Sequence, residues 1–319
     1  MTSPTSDDAP SLLRRFKVKL WSGSKIVLSQ DGGAFAVHTG PRRHDAENRY
    51  KDMTITVIDA ASGKRLRQAP LPYRLKDLML LPQDGLVAIG NQASLFNGSV
   101  AIVNLETQQI LHEWPMQGEV SSLSHAPGGK MLATSNEGWI MLVDLQTFEV
   151  DAMLQVGQHL RHAAMSPDGE RVVTGHDRSA QLWRVATVER LMTFEPQSRM
   201  IIDSVRFSPD GAMFFIQGRD LHVLESETGA EIQTIDDNRF ITFAEFSPCG
   251  RYIMVLYREG VLQWLNPSTG EVVHEVDNIR DFPTVNLDSV SLVADDQWLL
   301  AREKNLWRLP LPQNEDIGD

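Results

Sequence analysis

One turn sequence recurs along this chain at nearly regular spacing. The tetrapeptide Ser-Pro-Asp-Gly occurs unchanged at Ser166 to Gly169 and at Ser208 to Gly211. Related turns, each between two apolar-alternating runs, begin at Leu28, Leu80, His125, Met165, Phe207, Phe246 and Leu292. Proline presets φ for the first corner of such a turn, and glycine tolerates the positive φ that closes it. Each copy therefore predicts a tight turn that joins two strands.

A second marker follows each turn, where a further strand ends in a polar residue and a hairpin. These polar residues are Asp59, Asn104, Asp144, Arg184, Glu225, Asn266 and Arg308. Successive members lie 40 to 45 residues apart. A period of this length, made only of short strands and turns, predicts a β-propeller with four strands per blade.

The number of copies predicts an all-β, seven-bladed β-propeller with four antiparallel strands in each blade. The seventh copy ends without its fourth strand, and an alternating segment with Phe16, Val18 and Leu20 precedes the first copy. We expect residues 14–20 to pair with the strand around residues 306–309, because completing the last blade removes exposed strand edges. The predicted organisation is a single domain over residues 11–312, with tails at 1–10 and 313–319.

The repeat also resembles a known family. "FSPDG", an alternating strand and then "SAQLWR" before a hairpin are similar to the WD-repeat pattern, and the resemblance runs from about Leu12 to Pro312. The family's Gly-His pair is missing at the expected distance. Its terminal Trp-Asp is never intact, since Trp183 and Trp307 are each followed by arginine. The hairpin "ITVIDAASGKRL" is equally similar to bacterial surface-type propeller repeats. The resemblance is therefore to a divergent WD-repeat-like propeller.

Composition narrows the classes of function. The chain of 319 residues has a net charge of -12, which disfavours nucleic acid as a partner. It has no apolar run of the roughly 18 residues that a membrane helix needs, and its first ten residues are polar and acidic. The single cysteine, Cys249, excludes an internal disulfide and a cysteine-based metal cluster. We expect a cytoplasmic protein without membrane insertion.

Sequence signatures of catalysis are missing. There is no nucleophile elbow, no phosphate-binding glycine-rich loop, no His-Glu-x-x-His and no zinc spacing among the scattered histidines. The sequence therefore predicts neither a cofactor nor a metal. The leading hypothesis is a non-catalytic protein–protein interaction platform within a larger complex. The alternatives are a hydrolase-type or lyase-type enzyme, or a small-molecule or ion sensor, with its site at the mouth of the central channel.

The loops between second and third strands are the candidate binding sites. Two neighbouring insertions, residues 38–53 and 90–99, lengthen one sector of this rim. Residues 38–53 and the five later loops carry nine basic and eight acidic residues, so the rim is nearly neutral in an acidic chain and favours an acidic protein segment. The predicted partner-binding residues are Arg42, Arg43, His44, Arg49, Tyr50, Lys51, Trp139, Arg178, Arg219, Arg258, Arg302 and Lys304.

Overall fold

A computed structural model describes most of the repeat region. It covers residues 11–15, 25–29, 33–39, 53–59, 62–70, 75–83, 85–92, 97–196, 201–236, 238–247, 249–276, 289–293, 297–302 and 305–310. Every regular element in these ranges is a β-strand. Among the described residues no helix is long and apolar enough to cross a membrane. The predicted all-β class is confirmed.

The chain divides into two compact units, and the first comprises Met1–Glu119 and Asn286–Asp319. Its strands form four-stranded antiparallel sheets. After β1 (Ser11–Arg15), one sheet contains β2 (Lys25–Leu28), β3 (Ala34–Thr39), β4 (Thr54–Asp59) and β5 (Arg65–Pro70). The next sheet contains β6 (Leu75–Leu80), β7 (Leu86–Gln92), β8 (Asn97–Asn104) and β9 (Gln109–Gln117).

The second unit, Val120–Val285, repeats the same arrangement. One sheet contains β10 (Val120–Ala126), β11 (Lys130–Ser135), β12 (Trp139–Asp144) and β13 (Val150–Gln155). The next contains β14 (Leu160–Met165), β15 (Arg171–His176), β16 (Ala180–Arg184) and β17 (Glu189–Phe194). Then come β18 (Ser204–Phe207), β19 (Met213–Gln217), β20 (Leu221–Glu225) and β21 (Glu231–Ile235). The last sheet of this unit contains β22 (Ile241–Phe246), β23 (Ile253–Tyr257), β24 (Leu262–Leu265) and β25 (Val272–Val276).

The N-terminal strand joins the last three strands of the chain. β26 (Ser289–Val293), β27 (Gln297–Arg302) and β28 (Asn305–Pro310) form a sheet in the order β1-β28-β27-β26. Leu12 lies opposite Trp307, and Arg14 lies opposite Leu306. The predicted partner strand is confirmed, but its bounds were wrong, because the paired segment begins at Ser11. A bulge between Leu12 and Arg14 breaks the alternation that marks a strand in the sequence. Phe16, Val18 and Leu20 lie outside the described residues.

The core lies between successive sheets in each unit. Ile55 of β4 and Ile89 of β7 belong to one buried cluster of the first unit. In the second unit, Phe215 of β19 and Tyr257 of β23 belong to another. Two third strands carry a tryptophan: Trp264 in β24 is 1% exposed, and Trp183 in β16 is partly buried. Large side chains of the middle strands thus fill the space between adjacent sheets.

The recurring Ser-x-x-Gly turn is a hydrogen-bonded unit built on its serine. The Ser208 side chain is fully buried, and its Oγ accepts from the backbone N–H of Met213 at 2.9 Å. The same hydroxyl lies 2.6 Å from Asp210 Oδ1, which also accepts from the backbone N–H of Ala212 at 3.0 Å. Ser166 and Asp168 make the same contacts in their own turn. The repeated turn therefore satisfies buried backbone groups where two strands meet.

The polar residue at the end of the third strand caps the next hairpin. Asp144 Oδ1 accepts from the backbone N–H groups of Gln146 at 2.7 Å and Thr147 at 2.9 Å. These backbone hydrogen bonds, the one from Thr147 first, lower the pKa of Asp144. Asn104 and Asn266 cap their hairpins in the same way. The second sequence marker is thus a turn-forming side chain.

Cys249 occupies the position that Asp168 and Asp210 hold in the other turns, and it lies 3.4 Å from Ser247 Oγ. We expect Cys249→Asp to stabilise the protein by about 1 kcal/mol, because a carboxylate there accepts from the serine hydroxyl and a backbone N–H. The serine hydrogen bond, followed by the backbone one, lowers the pKa of Asp210. A carboxyl whose folded pKa is lowered stabilises fully above its unfolded pKa, so the gain should begin to shrink below the ordinary value of 3.8 and be lost as the pH falls through the lowered folded pKa.

Urea unfolding at pH 7 and pH 3 measures this effect, with Cys249→Ala as the matched control. An equal midpoint for the two variants at pH 7 would contradict the proposed role of the turn carboxylate.

The pairing of β1 with β28 predicts the effect of truncation. Deleting residues 1–22 should abolish soluble folding, because it removes β1 and exposes the edge of β28. Deleting residues 1–9 keeps β1 and should leave solubility unchanged. Soluble yield and size-exclusion chromatography of the two truncations compare these outcomes. A soluble, monomeric 1–22 deletion would show that β1 is dispensable.

Candidate functional site

The second-to-third-strand loops and the connections between successive sheets lie at the same ends of the strands, because the strands alternate in direction. We call these strand ends the loop rim. In the second unit the second-to-third-strand loops are residues 136–138, 177–179, 218–220 and 258–261. The described connections include residues 156–159 and 238–240. The rim therefore contains more loops than the sequence analysis considered.

Two neighbouring rim loops are held together by their backbones. The N–H of Val156 donates to the Gly138 carbonyl at 2.8 Å, and that of His159 donates to the Asn136 carbonyl at 2.8 Å. Gly138 has φ of +83°, and a Cβ placed there would lie 1.7 Å from the Gly157 carbonyl oxygen. A side chain at this position is therefore incompatible with the contact. Trp139, which the sequence placed at the start of a third strand, is the first residue of β12 and is partly buried.

A buried hydrogen-bond network supports the next part of the rim. The carbonyl of Gln158 can only accept, so His176 donates to it from Nδ1 at 3.0 Å. His176 Nε2 lies 3.0 Å from Thr174 Oγ1, which accepts from Trp183 Nε1 at 3.2 Å. Burial lowers the pKa of His176 and favours the neutral ring. The network ties the connection 156–159 to β15 and β16.

A polar cavity of about 460 Å³ opens beside this network. Its lining includes His159, His176, Asp177, Arg178 and Gln181. The Oε1 atom of Gln181 is buried and has no hydrogen-bond partner within the described structure. Arg161 Nε donates to Asp177 Oδ1 at 2.6 Å, and this hydrogen bond, with the positive charge of Arg161, lowers the pKa of Asp177. The cavity thus presents a fixed carboxylate, the exposed Arg178 and a buried amide acceptor.

An exposed aromatic side chain lies beside one predicted arginine, on a connection that contacts a second. Phe240 is 49% exposed, and the Arg258 guanidinium lies 5.9 Å from its ring centroid. Arg219 Nη2 donates to Asn238 Oδ1 at 3.5 Å. Arg239 stacks over the Tyr257 ring at 3.9 Å. We call Arg219, Asn238, Arg239, Phe240 and Arg258 the Phe240 patch.

The structure describes some of the predicted partner-binding residues and leaves others outside the described ranges. Arg178, Arg219 and Arg258 are exposed on the rim, and the last two lie in the Phe240 patch. Arg302 ends β27, but its side chain is not among those described. The remaining predicted residues lie outside the described residues: Arg42, Arg43, His44, Arg49, Tyr50, Lys51 and Lys304.

One of the two predicted long loops is wrong. Residues 90–92 belong to β7 and residues 97–99 belong to β8, so residues 93–96 alone lie between these strands. The polar and small residues of this segment indicated a loop, but backbone pairing of Asn91 with Ser99 and of Gln92 with Gly98 extends the ladder. The other predicted loop, residues 38–53, starts two residues too early, because His38 and Thr39 belong to β3 and β4 begins at Thr54.

Sequence reasoning missed the contribution of the connections between sheets. It searched the second-to-third-strand loops alone and passed over Asn238, Arg239 and Phe240. A large apolar residue in the otherwise polar segment "DDNRF" was the available signal. Among the described residues, no group of three or more His, Cys, Asp or Glu side chains could hold a metal ion.

The contact at Gly138 gives a prediction. Gly138→Ala should cost at least about 3 kcal/mol, because the methyl group adds a collision with the Gly157 carbonyl to the cost of positive φ. Gly129→Ala is the matched control. Gly129 has φ of +74° with nothing within 4 Å of an added Cβ, so its cost should be about 1 kcal/mol. Urea unfolding of both variants separates the two effects, and equal losses would refute the close contact.

Comparison with known families bears on one repeat. The family described as "WD domain, G-beta repeat" matches residues 154–184. This segment runs from β13 through β14 and β15 to the end of β16, and it contains the His176 network. The same four-stranded antiparallel sheet recurs before and after it along the chain. The match to one repeat and the recurrence of the same four-stranded sheet together fit a WD-repeat-like protein.

Proposed function

We propose that this chain is a non-catalytic platform that holds protein partners on its loop rim within a larger complex. The observation that carries the proposal is the exposed Phe240 beside Arg258, on a connection whose Asn238 contacts Arg219. A WD-repeat-like chain is in general of the protein-interaction scaffold type. The described rim adds a specific surface to that general type.

The scaffold that we propose is a seven-bladed β-propeller over residues 11–312, with the N-terminal strand completing the last blade. Two observations support it. Consecutive strands form one four-stranded sheet after another, and β1 supplies the fourth strand of the sheet that contains β26, β27 and β28. Rigid sheets of this kind position short loops, which is how such scaffolds present binding residues.

The Phe240 patch has the chemistry of an interface centre. Aromatic residues and arginine are enriched at protein interfaces and among the residues that contribute most to affinity. The Arg258 N–H donates to the Phe240 carbonyl at 2.8 Å, so the loop that carries the ring is fixed to the neighbouring rim loop. Because this backbone is already fixed, ordering the loop costs little conformational entropy when a partner covers the ring.

The charges of the patch favour an acidic segment of the partner. Three arginines cluster here in a chain whose net charge is -12. Asp220 Oδ1 lies 4.0 Å from Arg219 Nε, and the Asp220 side chain is only 13% exposed. A partner carboxylate can therefore approach Arg219 and Arg258 from the solvent side. We propose that Trp139 and Arg178 extend this surface along the rim.

We propose that the remaining predicted partner-binding residues form a second binding sector of the rim. They are Arg42, Arg43, His44, Arg49, Tyr50, Lys51, Arg302 and Lys304. Their support is the sequence pattern alone, in which basic residues recur from one rim loop to the next.

Quantitative affinity purification from the native host tests the platform. Phe240→Ser combined with Arg258→Glu should reduce at least one co-purifying protein by roughly tenfold, because it removes the aromatic contact and reverses a charge. Ile232→Ser combined with Arg190→Glu is the matched control, since Ile232 is 38% exposed and Arg190 is exposed, both away from the rim. The control should retain every partner.

A second variant tests the other sector, with Arg42, Arg43 and Arg49 all replaced by glutamate. Recovery of every partner at wild-type level with both rim variants would refute the platform. Loss of the same partners with the control as well would place the contact elsewhere on the surface.

A further inference from the structure

The first unit contains a cavity at the strand ends opposite the loop rim. It has a volume of about 470 Å³ and lies between the sheet of β2 to β5 and the sheet of β6 to β9. β3 starts beside this cavity at Ala34 and ends at the rim at Thr39, which fixes the side of the sheet. Aliphatic side chains dominate the lining: Val57, Leu66, Leu80, Leu81, Leu86 and Leu105.

The cavity reaches the hydrophobic core of the unit. Val57, Leu80 and Leu105 belong to the buried cluster between the two sheets and are 5%, 8% and 3% exposed. Its described lining residues include no aromatic side chain. Its size and character suit one or two branched aliphatic groups, because apolar surface that opens to solvent is stabilised when it is covered.

Arg67 lines the cavity and links the two sheets beside it. It comes from β5 and donates from Nε at 3.0 Å and Nη2 at 2.9 Å to Glu106 Oε1, beyond the end of β8. Its guanidinium also lies over the turn at Gly85, 3.2 Å from where a Cβ would be. The Arg67 side chain is 20% exposed, whereas that of Glu106 is 63% exposed. Such an exposed carboxylate, held through one oxygen, can be exchanged for a carboxylate from another molecule.

The segment beside the cavity, Lys64 to Arg67, carries positive charges together with an exposed apolar side chain. Lys64 and Arg65 are exposed, and Leu66, between Arg65 and Arg67, is 50% exposed. Among the described carboxylates here, Asp59 already accepts from the Ser62 N–H at 2.5 Å. Three of the four residues in this segment are positively charged, whereas the whole chain has a net charge of -12. This complementarity favours an acidic occupant with an aliphatic side chain.

We propose that this cavity and the segment Lys64 to Arg67 form a second docking site, separate from the rim. Its ligand is an extended segment of a partner protein in which a leucine-sized side chain stands next to aspartate or glutamate. The aliphatic group enters the cavity. The neighbouring carboxylates pair with Arg65 and Arg67, and one of them displaces Glu106.

Selection from a phage library of random dodecapeptides on the full chain tests the site. Enriched peptides should carry a leucine, isoleucine or valine flanked by Asp or Glu. The docking variant combines Arg65→Glu with Leu66→Asp. It should bind the synthetic peptides at least tenfold more weakly than the wild type, as measured by fluorescence anisotropy. Raising the salt concentration from 0.15 to 0.5 M should weaken their binding to the wild type several-fold, because exposed ion pairs are screened.

The matched control is Val272→Asp combined with Arg251→Glu. Val272 is 44% exposed on an outer strand, as Leu66 is, and Arg251 is exposed. This control should bind the peptides as the wild type does. Ala34→Leu, which places a larger side chain of the chain itself in the cavity lining, should also weaken the peptides if the aliphatic group enters there.

Four results would overturn the proposal. Enriched peptides could lack the acidic and aliphatic pattern, bind the docking variant and the wild type equally, or be absent. The wild-type chain could also self-associate in analytical ultracentrifugation through a contact that the docking variant abolishes, and the occupant would then be a second copy. The variant with Phe240→Ser and Arg258→Glu keeps this second site intact. Failure of the second docking site is therefore distinguishable from failure of the rim platform.

Discussion

The burial of both faces of the middle strands is the constraint on which the rest of this structure depends. All five residues of β23 are buried, and so are five of the six residues of β11. A sheet of four strands cannot cover both of its own faces, so each sheet needs neighbours. This requirement explains why one supersecondary unit is repeated along the chain. It also explains why large side chains such as Trp264 and Phe215 stand in the middle strands.

Packing of this kind leaves the ends of the strands to the turns, and the two ends differ. At one end, serine and aspartate side chains satisfy the backbone of the tight turns, and Asp or Asn caps the hairpins. Those residues recur because the backbone geometry recurs. At the rim, the loops share little sequence, and their contacts are individual: the Gly138 and Gly157 backbones, the His176 network and the Phe240 patch. Recurrence thus marks architecture, whereas the irregular loops carry the candidate binding chemistry.

The two proposed surfaces differ in their physical basis. The Phe240 patch presents an exposed aromatic ring on a loop with a fixed backbone, so a partner must cover it. The cavity beside β5 presents an apolar recess lined by Arg67, so a partner must fill it. Both combine apolar area with arginine in an acidic chain. A platform with two such surfaces can hold two partner segments at once, which suits a subunit of a larger complex.

The sequence by itself determined the repeat, the all-β class, the positions of the turns that the structure describes and the membership of an N-terminal strand in the last sheet. These features depend on local rules, namely turn chemistry, strand alternation and a constant period, so they can be read from neighbouring residues. The bounds of β1 could not be read in this way, because the bulge between Leu12 and Arg14 hides the alternation. Residues 90–92 and 97–99 looked like loop for a similar reason, since pairing across the ladder overrode their weak strand preference.

Tertiary structure alone decided which side chains meet. Phe240 lies beside Arg258 and Arg67 lies beside Glu106 because adjacent loops or sheets bring together residues that are 18 and 39 positions apart. No local pattern encodes such a distance. The exposure of Phe240 and Leu66 and the cavity between two sheets likewise depend on how neighbouring elements pack. The sequence therefore determined the scaffold, and the packing of its sheets decided where that scaffold can bind.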